Sequence, residues 1–143
     1  MKTSELIDQT LDWAVAKCEE INSQICRTNS CAEEKQGIKT HAIKYNQTWN
    51  AQGLERWSTY APSTDWSQSG PIIEREGIEL LCNLTTTEAS RFSGGASADW
   101  QAFHRSDRRT EARQFATTPL IAAMRCYVAR KLGDEVEIPE ELK

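Results

Sequence analysis

Histidine is almost missing from this chain: its 143 residues hold two, His41 and His104. Without a paired-histidine motif of the kind that hydrolyses phosphodiesters, the usual bases and ligands of hydrolytic chemistry are in short supply. A Gly-rich phosphate loop is also missing, and with it the commonest nucleotide-hydrolysing signature. No apolar run approaches the ~20 residues that cross a bilayer. Met1-Lys2-Thr3-Ser4-Glu5 leads straight into an amphipathic pattern holding Asp8 and Asp12, which a signal-peptide core would not carry. The expectation is a cytoplasmic protein with no membrane partner. The five cysteines, Cys18, Cys26, Cys31, Cys82 and Cys126, are an odd number at irregular spacings, suiting neither a disulfide framework nor paired CxxC zinc sites. They read as reduced thiols. Cys26, Cys31 and His41 lack a fourth ligand, so no metal and no cofactor are expected. A formal net charge of -4 argues against nucleic acid as a partner.

What is present fits one globular domain over residues 1–143, with 38% apolar and 27% charged residues to build a core and a wet surface. Thr3 and Ser4 precede a helical pattern from Glu5 to Glu19, with Ile7, Leu11, Ala14, Val15 and Cys18 on the apolar face and Asp12 and Lys17 on the wet one. From Glu20 to Gln36 the periodicity dissolves. Ile38 to Tyr45 and Thr48 to Ala51 suit short strands, although helix remains open for both. Ile72 and Ile73 within Pro71 to Glu76, then Ile78, Leu80, Cys82 and Leu84, suit one or two strands with a glycine break at Gly77. Thr85 to Asp99 reads as an exposed connection, Trp100 to His104 as a strand and Arg105 to Thr117 as a polar loop. Thr118 as N-cap, Pro119 at the first helical position and Gly133 as C-cap bracket a second helix. Its apolar face is Leu120, Ile121, Met124, Tyr127, Val128 and Leu132. These elements predict an α+β fold, a small, mainly antiparallel sheet packed with an N-terminal and a C-terminal helix in a layered sandwich.

The segment Tyr60 to Ile78 carries the richest chemistry. It sets Tyr60 and Trp66 among Pro62, Ser63, Thr64, Asp65 and Arg75, the composition of a pocket wall for a flat, polar ligand. Trp57, Tyr60 and Trp66 offer faces for a base, Ser63, Thr64 and Asp65 offer bonds to a ribose, and Arg75 offers a bidentate phosphate contact. Thr117 and Thr118 at the second helix start add a further anion site through free backbone N–H groups and the helix dipole. Each has a plainer reading: the tryptophans as core plugs, Arg75 as an ion-pair partner of Glu74, Glu76 or a neighbouring strand. Glu74 and Glu76 would share a strand face. Arg105, Arg108, Arg109 and Arg113 beside Trp100 and Phe103 suggest a nucleic-acid patch, but Asp107 and Glu111 dilute it into a solvated loop.

Three blocks of the chain resemble the NinX-like family of phage proteins. They are Ser4-Glu5-Leu6 with Leu11 to Glu19, Pro62 to Trp66 with Gly70 to Glu76, and Thr118 to Arg125 with Gly133 to Val136. The resemblance implies a phage or prophage gene expressed in the host bacterial cytoplasm, with helices packed on a small sheet. It carries over no catalytic residues. The reading that joins these threads is a phage counter-defence protein. It would bind and sequester a nucleotide-derived host immune signal, cyclic ADP-ribose-like or a cyclic oligonucleotide, without catalysis and as a homo-oligomer. A protein-interaction module that binds a host factor, or an enzyme degrading the signal, are the alternatives.

Overall fold

The computed structural model describes residues 1–21, 23–27, 41–49, 54–82, 100–107 and 113–143. Its elements run, after a short 3-10 turn at Thr3–Glu5, as α1 (Asp8–Cys18), β1 (Ser23–Arg27), β2 (His41–Trp49), β3 (Leu54–Thr59), α2 (Trp66–Glu76), β4 (Ile78–Cys82), β5 (Trp100–His104), β6 (Gln114–Ala116) and α3 (Pro119–Leu132). Both sheets are three-stranded and antiparallel, in the orders β1-β2-β3 and β4-β5-β6. The α+β architecture expected from the sequence is the one observed.

Helix α3 organises the interior. Leu120, Ala122, Ala123, Met124, Cys126, Tyr127 and Val128 are buried along it, because small residues between the large ones let the backbone approach the sheet closely. It packs on β4, β5 and β6 and receives α1 and α2 from other sides, while α1 also leans on β2. One buried cluster therefore draws on both sheets: Leu11, Ala14 and Val15 from α1, Ile43 from β2, Ile72 from α2, Ile78 from β4, Ala102 from β5 and Ala116 from β6. The chain ends are tied to the same body. Met1 and Val136 exchange backbone bonds at 2.9 Å, and Thr3 Oγ1 donates to Gly133 O at 2.7 Å.

The caps of α3 follow the sequence pattern. Thr118 Oγ1 accepts from Ile121 N–H at 3.3 Å, Pro119 needs no donor at the first position, and the helix stops at Gly133. Helix α1 is shorter than its periodicity suggests, and its cap is not Thr3 or Ser4. The Thr10 hydroxyl closes the start instead, accepting from Ile7 N–H at 3.1 Å and donating back to Ile7 O. A further correction concerns Asp12, expected on the wet face: it is 6% exposed. Ile7, expected on the apolar face, is half exposed.

The largest departure is at Pro71–Glu76, which is helix rather than strand. Asp65 caps α2, accepting from Ser67 N–H at 2.8 Å and Ser67 Oγ at 2.7 Å. Gln68 bonds Asp65 Oδ2, the Thr59 carbonyl and, through its own Oε1, Ala61 N–H. The Asp65 side chain thus satisfies one of the donors that a helix start leaves open, and Gln68 ties the preceding turn to the cap. Pro71 sits inside the helix on its exposed side, where only one ladder bond is lost. Gly77 ends the helix in the left-handed conformation, with φ 64°. An added Cβ there would meet only Arg105 Cβ at 3.9 Å, an ordinary contact. Gly77→Ala is accordingly expected to cost about 1 kcal/mol, purely for the backbone conformation, readable as a lower urea midpoint with an unchanged slope.

The polar stretch expected from Arg105 to Thr117 contains β6, which pairs with β5. Strand β1 likewise lies within the segment where periodicity dissolves. Cys31, Leu84, Arg108, Arg109 and the connection 85–99 lie outside the described residues, as do the side chains of Trp57, Cys26, His41 and Asp107. No helix among the described residues is long and apolar enough to cross a membrane.

Candidate functional site

Three of the sequence-predicted ligand residues converge. Tyr60, Ser63 and Thr64 line a cavity of about 170 Å³ together with Asp8, Gln9 and Asp12 of α1, Ile43 of β2, and Thr59 and Ala61. Its wall is the turn between β3 and α2, held to β2 by Tyr60 N–H donating to Ile43 O at 2.7 Å. The turn is pinned to α1 by one buried bond, Ser63 N–H to Asp12 Oδ1 at 2.8 Å. Tyr60 and Ser63 are buried and Thr64 is exposed at the rim.

Asp12 is the electrostatic centre of this cavity. Burial pushes its carboxyl up to about 6, the Ser63 contacts pull the other way, and the nearby Asp8 charge adds to the rise. A carboxylate in this state is under-compensated: it has lost water and gained one backbone donor. Ser63 Oγ is itself buried without a hydrogen-bond partner, close to the carboxylate but making no well-formed bond. Asp8 at the mouth adopts φ 44°, a conformation uncommon outside glycine but tolerated by aspartate. Among the described residues the wall contains no lysine, arginine or histidine.

The other predicted residues stand elsewhere. Asp65 spends its carboxylate on the α2 cap, where the Ser67 hydroxyl and amide hold its pKa below the usual value. Trp66, the first residue of α2, is 54% exposed. Thr117 and Thr118 are exposed at the start of α3, with the Thr118 hydroxyl engaged as a cap.

Arg75, near the end of α2, takes the ion-pair role. Its guanidinium pairs with Glu19 and Glu76, and Tyr127 also donates to Glu19. Lys131 Nζ lies 3.7 Å from Glu76, extending the network onto α3. Burial would raise the Glu19 pKa, but the bonds from Arg75 and Tyr127 outweigh it and the net shift is downward. Burial and the Glu19 bond raise Tyr127, and burial beside Glu19 pushes the Cys18 thiol up to about 11. That keeps Cys18 a neutral packing group rather than a nucleophile. Asp12 and Glu19 lie about 10 Å apart along the α1 axis, so Arg75 is not part of the cavity wall.

Sequence reasoning missed Asp12, Asp8 and Gln9. The available signal was an acid one turn into a helix, at a position next to the apolar stripe, and periodicity alone assigns such a residue to solvent. In the arginine cluster, Arg113 lies over the Phe103 ring at 5.4 Å and Arg105 is 3.8 Å from Glu79. Among the described residues no group of three or more His, Cys, Asp or Glu side chains is placed to hold a metal ion.

Fold and cavity together define a small α+β protein with a compact acidic pocket set between a helix and a capping turn. The family model described as Bacteriophage P22, NinX matches residues 2–131, and the chain belongs to that family. No curated protein matches it.

Proposed function

We propose that this phage protein works by binding, capturing a nucleotide-derived immune signal of its host and so serving counter-defence. The observation that carries the reading is the grouping of Tyr60, Ser63 and Thr64 around one cavity with an unpartnered hydroxyl and a half-satisfied carboxylate in its wall. Unsatisfied buried polar groups cost stability, and a ligand that bonds them recovers it. Arg75, half exposed, pairs with Glu19, which lies about 10 Å along α1 from Asp12, and would exchange part of that contact for a phosphate of a ligand long enough to reach it. The proposal includes a homo-oligomer whose subunits close the pocket mouths.

Calorimetry with cyclic ADP-ribose-like and cyclic oligonucleotide ligands tests this. Heat with at least one ligand, recovered unchanged after the protein is heat-denatured, is the expected result. Silence across the panel, at protein concentrations well above micromolar, removes the proposal, and an altered product turns it into an enzyme. One observation favours a second reading. Trp66 exposes a large apolar face at the start of α2, the kind of anchor that protein contacts use. If that reading holds, Trp66→Ala loses a host protein in pull-downs while leaving nucleotide heats unchanged.

A further inference from the structure

We propose that the cavity between α1 and the Thr59–Thr64 turn is a site for a primary ammonium group, held by the Asp12 and Asp8 carboxylates against the Tyr60 ring. This uses the same cavity as the proposed function but goes beyond that reading's ligands, since cyclic ADP-ribose-like and cyclic oligonucleotide molecules carry no aliphatic primary ammonium group.

Charge argues first. Two carboxylates line the cavity and, among the described residues, no cationic side chain does, so an anionic end would meet repulsion and a cation would meet attraction in a partly desolvated space. Partner counts argue next. Asp12, 6% exposed, accepts at Oδ1 from Ser63 N–H, and no other described residue forms a hydrogen bond with it that meets ordinary geometry. Ser63, 2% exposed, keeps an unpartnered Oγ in the same wall. A buried hydroxyl left open beside a carboxylate with one described donor is unusual, because buried polar groups are otherwise paired. An ammonium carries three donors on a compact charge and matches such a set of acceptors, with the Thr59 and Thr64 hydroxyls at the rim.

Shape and the remaining groups point the same way. About 170 Å³ corresponds to several waters, at roughly 30 Å³ each, enough for an aminoalkyl head and too little for a whole dinucleotide. Tyr60 adds an aromatic ring beside the acids, a combination that favours cations. A bare metal ion would have two carboxylates and neutral oxygens, short of the acidic cluster such ions select. Among the described residues, the titratable groups facing Asp12 are Asp8 on its own helix and Tyr60 on the turn, and β2 contributes Ile43, which is neutral.

The test is an amide-resolved NMR titration of the intact protein with ethanolamine, with inorganic phosphate and calcium chloride as comparison probes. Ethanolamine is expected to shift the Ser63 and Asp12 amides at millimolar concentration, and phosphate to leave them in place. Binding should weaken about tenfold between pH 7.5 and pH 5, as Asp12 takes up its proton. Asp12→Asn should abolish the shifts and Ser63→Ala should weaken them, each with an otherwise native spectrum. No shift with ethanolamine, shifts that survive Asp12→Asn, or equal shifts with calcium would each overturn the ammonium site. Nucleotide heats that persist while ethanolamine neither binds nor competes would overturn this site alone. Ethanolamine binding without any nucleotide heat would keep the site and remove the nucleotide signal.

Discussion

Asp12→Asn should make the protein more stable at pH 7.5 while removing its capacity for cationic ligands. The folded-state carboxyl sits at about 6 against an ordinary value of 3.8, so the folded chain holds this proton more tightly than the unfolded one. For a raised acid, stability is fullest below the unfolded value and declines as pH rises through the folded one. A rise of that size corresponds to about 3 kcal/mol at most, and water in the cavity reduces that. Asparagine keeps an acceptor for Ser63 N–H and buries no charge, so a gain of about 1 to 3 kcal/mol is expected at pH 7.5.

The pH dependence separates this cause from others. At pH 4 the wild-type side chain is already protonated in the folded protein, and the two proteins should unfold at nearly the same urea concentration. The gap should open as pH rises towards 6 and then level. Glu19 acts oppositely, since its pKa is lowered and its contribution is lost as pH falls, but it is common to both proteins and cancels in the difference. A gap that does not change with pH would show that Asp12 is compensated in the fold, and the case for an under-satisfied pocket would fail. The two outcomes for this variant, higher stability and lost binding, cannot both come from misfolding.

What the residues reveal before the fold is known divides along physical lines. Helix α3 is legible in full because its signals are local: a hydroxyl N-cap, proline at the first position, a wide apolar stripe and a terminal glycine all agree. Trp100–His104 and the Ile78 strand are legible because apolar residues in short runs bounded by polar ones have few alternatives. Helix α2 is hidden although its start is written in the sequence. Asp65 followed three residues later by Gln68 is a capping-box spacing, but Gly70-Pro71 just beyond it reads as a turn, and proline six positions into a helix is uncommon enough to mask it. The stretch that reads as a ligand loop is therefore partly a capping turn. Asp65 serves the helix, and Tyr60, Ser63 and Thr64 are left to face α1. The acid they face could not be found from spacing, because the burial of Asp12 depends on a turn that arrives from fifty-one residues away. Arg75 is legible as an ion-pair partner, but its main partner, Glu19, is equally remote in sequence.

Arg125→Ala is expected to cost the fold most among the polar substitutions, and by a route that charge counting would not suggest. The side chain emerges from the middle of α3, Nε donating to Leu6 O at 2.8 Å and Nη1 to Phe115 O at 2.7 Å. One guanidinium thus ties the segment before α1, strand β6 and α3 together. It does so with no carboxylate partner among the described residues: burial lowers its pKa. Truncation leaves two partly buried carbonyls without their donors and removes the apolar stem that packs beside them, so a loss of about 2 to 4 kcal/mol is expected in urea unfolding. Arg125→Lys should recover less than half of it, since an ammonium cannot hold the two-carbonyl fork. The effect should also be local before it is global. Amides of residues 1–6 should exchange faster with solvent in Arg125→Ala, because the segment would then be held mainly by its bonds to residues 133–136, from Thr3 to Gly133 and Asp134 and between Met1 and Val136. A loss below about 1 kcal/mol would mean that water replaces the guanidinium at both carbonyls. The N-terminal segment would then be held by its pairing with the chain end, and the position of α1, with Asp8 and Asp12 on it, would not depend on Arg125.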